Sequence, residues 1–246
     1  MELVIGYNYF KDMYIVPIII LSIGALMLFW FLYEKIKAYS IKEVCLKATT
    51  SVLFISLCVY SMSQTGLKTF PYFAVMALVC GLLGDIALDL KYVYKEKDFE
   101  YTLAGFVAFA IGHILYVTGM FLEFYHGQSV LYIIIPLGIG LLMGPITMLV
   151  GKLSNCEYGR IKPVAFIYAV ILFSMVSTGF SLWMMSGFAN TGLLMMFIGG
   201  VLFAVSDLIL NLTYFAEGHE QPFDLISNAV TYYGAQFIIA FSILFM

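Results

Sequence analysis

The chain is 246 residues long, 63% hydrophobic and only 11% charged, with a mean hydropathy of +0.99, whereas ordinary globular chains carry about 25% charged residues. A membrane-crossing helix needs about 20 apolar residues, so these residues hold seven or eight crossings and leave no length for a soluble catalytic domain. The formal charge of −3, with a single Arg among the twelve basic residues, excludes a basic nucleic-acid-binding surface.

In chain order, the N-terminal MELVIGYNYFKDMY lacks the basic start and small-residue cleavage site of a signal peptide and reads as a retained tail. Eight apolar stretches follow, over residues 15–33, 48–63, 72–90, 102–125, 130–150, 163–183, 191–212 and 225–246. The second is short. The connections are too brief for independent domains. The expected architecture is an all-α polytopic membrane bundle of about eight transmembrane helices, one integral domain over residues 1–246.

The connections after spans 1, 3 and 5 hold ten of the twelve Lys and Arg. They are Lys35, Lys37, Lys42 and Lys47, then Lys91, Lys95 and Lys97, then Lys152, Arg160 and Lys162. Lys11 and Lys68 fall on the opposite side. This bias places the three connections in the cytoplasm and both termini outside. The last inner connection, AEGHEQPFD, is acidic and the rule is silent about it. Cys45 and Cys156 read as loop residues, Cys58 and Cys80 as span residues. No CxxC or other paired spacing occurs, so neither a disulfide framework nor a zinc site is supported.

Span 3 ends Gly84-Asp85-Ile86-Ala87-Leu88-Asp89-Leu90, and span 7 ends Ser206-Asp207-Leu208-Ile209-Leu210-Asn211-Leu212. Both read small-Asp-apolar-apolar-Leu-(Asp/Asn)-Leu. The following spans carry a polar residue at similar spacing: His113 lies 28 residues after Asp85, and Gln236 lies 29 after Asp207. Four spans are an even number, so the two halves, 15–125 and 130–246, would share one orientation as a parallel 4+4 repeat. The alternative is chance similarity between two leucine-rich helices.

Counted along a helix, Asp85 and Asp207 sit about 9 Å in from the cytoplasmic edge, Tyr232 about 10 Å, and His113 and Gln236 about 16 Å. Asp89, Asn211 and Asn228 lie within about 6 Å of that edge. The polar groups of spans 3, 4, 7 and 8 thus gather in the cytoplasmic half, while Glu123 and His126 stand near the outer rim. An ionisable group at this depth costs about 2.5–3.5 kcal/mol or more, so it should face a cavity or a partner. Asp85 and Asp89 share one helix face, as do Asp207 and Asn211. No Lys or Arg is read at matching depth. Two such carboxyls are expected to divide into a protonated acid and an ionised carboxylate. Polar glue between helices is the plainer alternative. Asp89 and Asn211 are near enough to the headgroups to be solvated at little cost. His113 reads equally as a base or as a hydrogen-bonded core residue. Tyr116, Tyr232 and Gln236 read as pocket walls or supports, with Ser206 and Asn228 beside them as substrate-contacting positions.

Other chemistries fit less well. His113, His126 and His219 fall at three different depths, which no three-histidine zinc site allows. No GxSxG elbow occurs. His219 and Asp224 have an HxxxxD spacing, two residue types at one interval and nothing more. Gly140 and Gly144 form a GxxxG that reads as helix packing.

Four stretches in order carry a resemblance: Leu83-Gly84-Asp85 with Leu88; Gly105, Phe109, Gly112, His113 and Tyr116; Gly200, Leu202, Phe203, Ser206, Asp207 and Leu210; and Tyr232, Ala235 and Gln236. On these residues the chain resembles the YhhN family, lysoplasmalogenase-like membrane proteins. Spans 1, 2, 5 and 6 match in hydropathy and number alone. Asn211 stands where a small residue is expected in the family, and Asp89 is an extra acid. Both bear on the inner mouth and on headgroup choice. The resemblance implies an eight-helix enzyme that hydrolyses the vinyl-ether bond of lysoplasmalogens to a fatty aldehyde and glycerophosphoethanolamine or glycerophosphocholine. Asp85 and Asp207 would be its acid–base pair, with the acid unassigned, and His113 would orient a carboxylate or the water. The implied partners are a lysophospholipid substrate and membrane lipids, with no metal or other cofactor. A proton-coupled transporter or flippase, and a non-catalytic lipid-binding scaffold, are the competing readings; intramembrane carboxylates in a repeated frame suit transport as well.

Overall fold

The structure, a computed structural model, describes residues 2–37, 39–66, 69–219 and 221–246, with side chains from Met13 onward. The described residues form eight α-helices and no strand. They are α1 (Glu2–Lys37), α2 (Ile41–Ser63), α3 (Phe70–Val93), α4 (Asp98–Phe124), α5 (Leu131–Leu153), α6 (Lys162–Met185), α7 (Thr191–Phe215) and α8 (Pro222–Ser242), joined by short turns. All eight are long and apolar enough to cross a membrane.

Local sequence sets the starts. Ser40 accepts a hydrogen bond from Glu43 N at the head of α2, and Asn190 accepts one from Leu193 N at the head of α7. Proline occupies the first turn of α3, α6 and α8, where its missing N–H costs nothing. Gln221 and Asp224 form a capping box on α8. Asp224 therefore serves that helix end, which accounts for half of the HxxxxD pair. Glu123 accepts from the backbone N–H of Thr69 and Phe70, closing the N-terminal end of α3.

Two helix starts differ most from expectation. The segment read as a tail is helical, since α1 begins at Glu2. The second span is not short: α2 begins at Ile41, because its buried face continues backwards through Leu46, Val44 and Glu43. Lys35, Lys37, Lys42 and Lys47 are therefore helical, and exposed Cys45 lies on α2. Lys68 and the side chain of Lys11, the two cations assigned to the opposite rim, lie outside the described residues.

Close helix pairs rest on small residues, as expected where lipid removes the hydrophobic drive for association. A Cβ on Gly112 of α4 would come within 3.1 Å of the Ala77 carbonyl of α3, and one on Gly140 of α5 would strike the Val170 carbonyl of α6. The main contacts have a pattern. Helix α1 packs on α2, α2 on α3, α3 on α4, and α4 on α6. Shifting each helix by four gives α5 on α6, α6 on α7, α7 on α8, and α8 on α2, all of which occur. One pairing breaks the correspondence: α1 packs on α8, but α5 makes no comparable contact with α4 among the described residues.

Candidate active site

Asp85, on the buried face of α3, is held by donors from α2 and α8. Its Oδ2 accepts from Ser51 Oγ at 2.6 Å and Tyr232 Oη at 2.7 Å, and its Oδ1 lies 3.5 Å from Lys47 Nζ. Gln236 Nε2 donates to Tyr232 Oη at 3.1 Å, which leaves the Tyr232 proton for Asp85. One turn on, Asp89 Oδ1 accepts from Lys35 at 3.0 Å and Lys47 at 3.1 Å. Lys35 also donates to Glu43 Oε1 at 3.0 Å. Glu43 and Asp89 are fully buried.

This overturns the expectation that no cation reaches the aspartates. Lys35 and Lys47 sit in the end turns of α1 and α2, and their four-carbon stems carry the ammonium groups inward. It also overturns the solvated headgroup position expected for Asp89. That carboxylate is spent on two largely buried lysines and does not line a described cavity.

Asp207 lies at the corresponding place on α7 and has a different setting. Its Oδ2 accepts a hydrogen bond from Tyr168 Oη of α6. Tyr168 Oη lies 3.2 Å from His113 Nε2 of α4. With the tyrosine proton on Asp207, His113 must donate through Nε2, and its Nδ1 is a bare acceptor without a described partner. No Lys or Arg lies within ion-pair distance of Asp207 among the described residues. The His113 ring packs edge-on against Phe203, centroids 4.7 Å apart.

Two adjoining cavities meet at these groups. The first is bounded mainly by α8 and α7, with residues of α1, α2, α3 and α4; Lys35, Lys47, Asp85, Asn228 and Tyr232 line it, with Ser206 and Asp207 from α7. The second is bounded mainly by α4, α5, α6 and α7, and has apolar walls apart from Tyr168, Asp207, Asn211, Tyr214 and Thr147. Leu88, Phe109, Asp207, Leu210 and Tyr214 border both. Asp85 and Asp207 therefore line one chamber, and Asp207 also faces the apolar slot beyond.

The remaining sequence candidates separate. Ser206, Asn228 and Tyr232 line the polar chamber, and Asn228 Nδ2 holds the Ser206 carbonyl at 2.8 Å. Asn211 lines the apolar slot and reaches Cys156 Sγ at 3.6 Å. Gln236 stands behind Tyr232 as a support rather than a wall. His113 acts at one remove, through Tyr168. Tyr116 is buried away from both cavities, so its reading as a pocket wall is corrected. Among the described residues no group of three or more His, Cys, Asp or Glu is placed to hold a metal ion.

Sequence reasoning missed Lys35, Glu43, Lys47, Ser51 and Tyr168. For α2 a signal existed: Lys47, Ser51, Phe54 and Cys58 recur at helical spacing on one face, and extending that stripe backwards turns the supposed loop into helix. Nothing local distinguishes Tyr168 from the other seventeen tyrosines; its partner comes from packing α6 against α7.

No curated protein and no solved structure matches the chain. A family model, that of the YhhN family, matches residues 42–243, which takes in the whole site apart from Lys35. The chain belongs to the YhhN family.

Proposed function

We propose that this protein is a membrane hydrolase that cleaves the vinyl-ether bond of lysoplasmalogens, releasing a fatty aldehyde and a glycerophospho-alcohol. The observation that carries the reading is one chamber lined by two aspartates in opposite settings. Asp85 receives two hydroxyl donors and faces an ammonium, which suits a carboxylate. Asp207 has one neutral hydroxyl partner and apolar neighbours, which suits a carboxylic acid.

In this reading Asp207 delivers its proton to the β-carbon of the vinyl ether. The double-bond electrons form the new C–H bond, and an oxocarbenium ion is left at the α-carbon. Asp85 stabilises that cation and takes a proton from the attacking water, as paired carboxylates do for similar cations in glycoside hydrolysis. The hemiacetal collapses, the C–O bond to glycerol breaks, and the proton on Asp85 goes to the departing oxygen. The hemiacetal hydroxyl proton restores Asp207. Tyr168 fixes the Asp207 oxygen it donates to, which leaves the other oxygen to carry the acidic proton into the chamber.

The ten-to-two distribution of basic residues supports a chamber in the cytoplasmic half with both termini outside. Outside labelling of single cysteines at 127 and 96 in a cysteine-free background should modify 127 alone, and the reverse would invert the assignment. The activity is tested on purified protein with lysophospholipids carrying vinyl-ether, alkyl-ether and ester linkages. Aldehyde from the vinyl ether alone is expected. Fatty acid from the ester, or no product in a protein that moves lipid across vesicles, would replace the hydrolase reading.

A further inference from the structure

We propose that the apolar slot between α4, α5, α6 and α7 holds the hydrocarbon chain of the lysophospholipid, which enters from the bilayer beside α5. The proposal rests on the hydrolase reading above. The slot has a cavity volume of about 50 Å3. Its apolar walls come from Phe106, Met148, Leu172, Phe173 and Leu208. Its carboxyl group, Asp207, is at the boundary with the polar chamber, so a ligand filling both spaces has a hydrocarbon part and a polar part joined at that residue. Interiors close-packed by side chains leave few such spaces, and an apolar cavity takes an apolar guest in preference to water.

Three features specify a chain arriving sideways. Helix α5 packs on α6 and makes no comparable contact with α4 among the described residues, whereas its counterpart α1 packs on α8. Leu208, which lines the slot, is 39% exposed and continues the outward stripe of Ile198, Val201 and Val205 on α7, so the slot reaches the lipid-facing surface. Ala165, Ala169 and Ala204 make the space, because a larger side chain at any of them would fill it. From Ala165 to Phe173 the α6 wall runs about 12 Å. That length takes the part of the chain nearest the ether oxygen and leaves the rest in the bilayer.

The test uses an alkyl-ether lysophosphocholine with a diazirine on the chain a few carbons from the ether oxygen. Lacking the double bond, it binds without being cleaved. After photolysis of the purified full-length protein, peptides are mapped with and without excess unlabelled lipid. Displaceable label is expected around Thr147, Met148 and Phe173. It should fall at least about fivefold in Ala169→Phe, the size of an overpacking penalty in a filled site. Displaceable label confined to α1, α2 and α8, or none in the slot, would overturn the proposal, and the wild-type map alone decides this if the variant does not fold. Label in the slot without aldehyde from vinyl-ether lipids removes the hydrolase reading and leaves the slot. Aldehyde release with label elsewhere removes the slot and leaves the hydrolase.

Discussion

Around Asp85 the protein gathers two lysines, two further carboxylates, a serine and a tyrosine; around Asp207 it places a tyrosine, a histidine and hydrocarbon. The two regions use the same frame. The shift of 122 residues that carries Asp85 to Asp207 also carries Lys47 to Ala169 and Ser51 to Phe173, both of which line the apolar slot. Where the first half supplies a cation and a hydroxyl, the second supplies a methyl group and a ring. One backbone position thus accommodates two electrostatic environments, and the chamber between the halves has one carboxyl of each kind. Acid–base chemistry on a neutral carbon needs that difference, which two identical halves would lack.

The comparison breaks most directly at the aspartates themselves. Asp207→Asn and Asp85→Asn should each lower turnover at least about 100-fold, the lower end for losing a general acid or base, with the protein still folded. Measured on purified variants, near-wild-type turnover in either would take that residue out of the reaction.

Asp89→Asn separates the halves by stability. It removes the shared partner of two largely buried lysines, and breaking a buried pair costs about 3–5 kcal/mol. A large fall in thermal midpoint is therefore expected, although the second half has Asn211 in the matching place without harm. An unchanged midpoint would show that the buried charge cluster is not held together by Asp89.

A smaller effect is expected from Tyr168→Phe. The Tyr168 hydrogen bond becomes charge-assisted as Asp207 gives up its proton, and a bond to a charged group is worth about 1.5–3 kcal/mol, so turnover should drop about tenfold or more while KM stays near wild type and the pH profile shifts. A KM effect with an unchanged profile would make Tyr168 a wall rather than a positioning residue.

These residues also show how far the sequence could be read. Asp85, Asp207, His113 and Tyr232 stood out because a polar group deep in an apolar span is rare and carries its own signal. The eight spans were visible for the same reason, as length and hydropathy. Lys35 and Lys47 were hidden by that same measure, since a hydropathy boundary cuts off the terminal helical turns from which long side chains reach inward. Tyr168 and Ser51 were hidden because their role comes from which helix lies opposite, a tertiary fact. The inequivalence of the two aspartates was out of reach without it, as the motifs around them are nearly identical.

The proposed reaction begins with protonation of carbon. Hydrolysis of a vinyl-ether lysophospholipid in heavy water, with the aldehyde reduced at once to the alcohol and a no-enzyme aldehyde control alongside, reads this directly. The account predicts one deuterium on the carbon next to the former carbonyl, whichever step limits turnover. Promptly trapped product without deuterium there would contradict it.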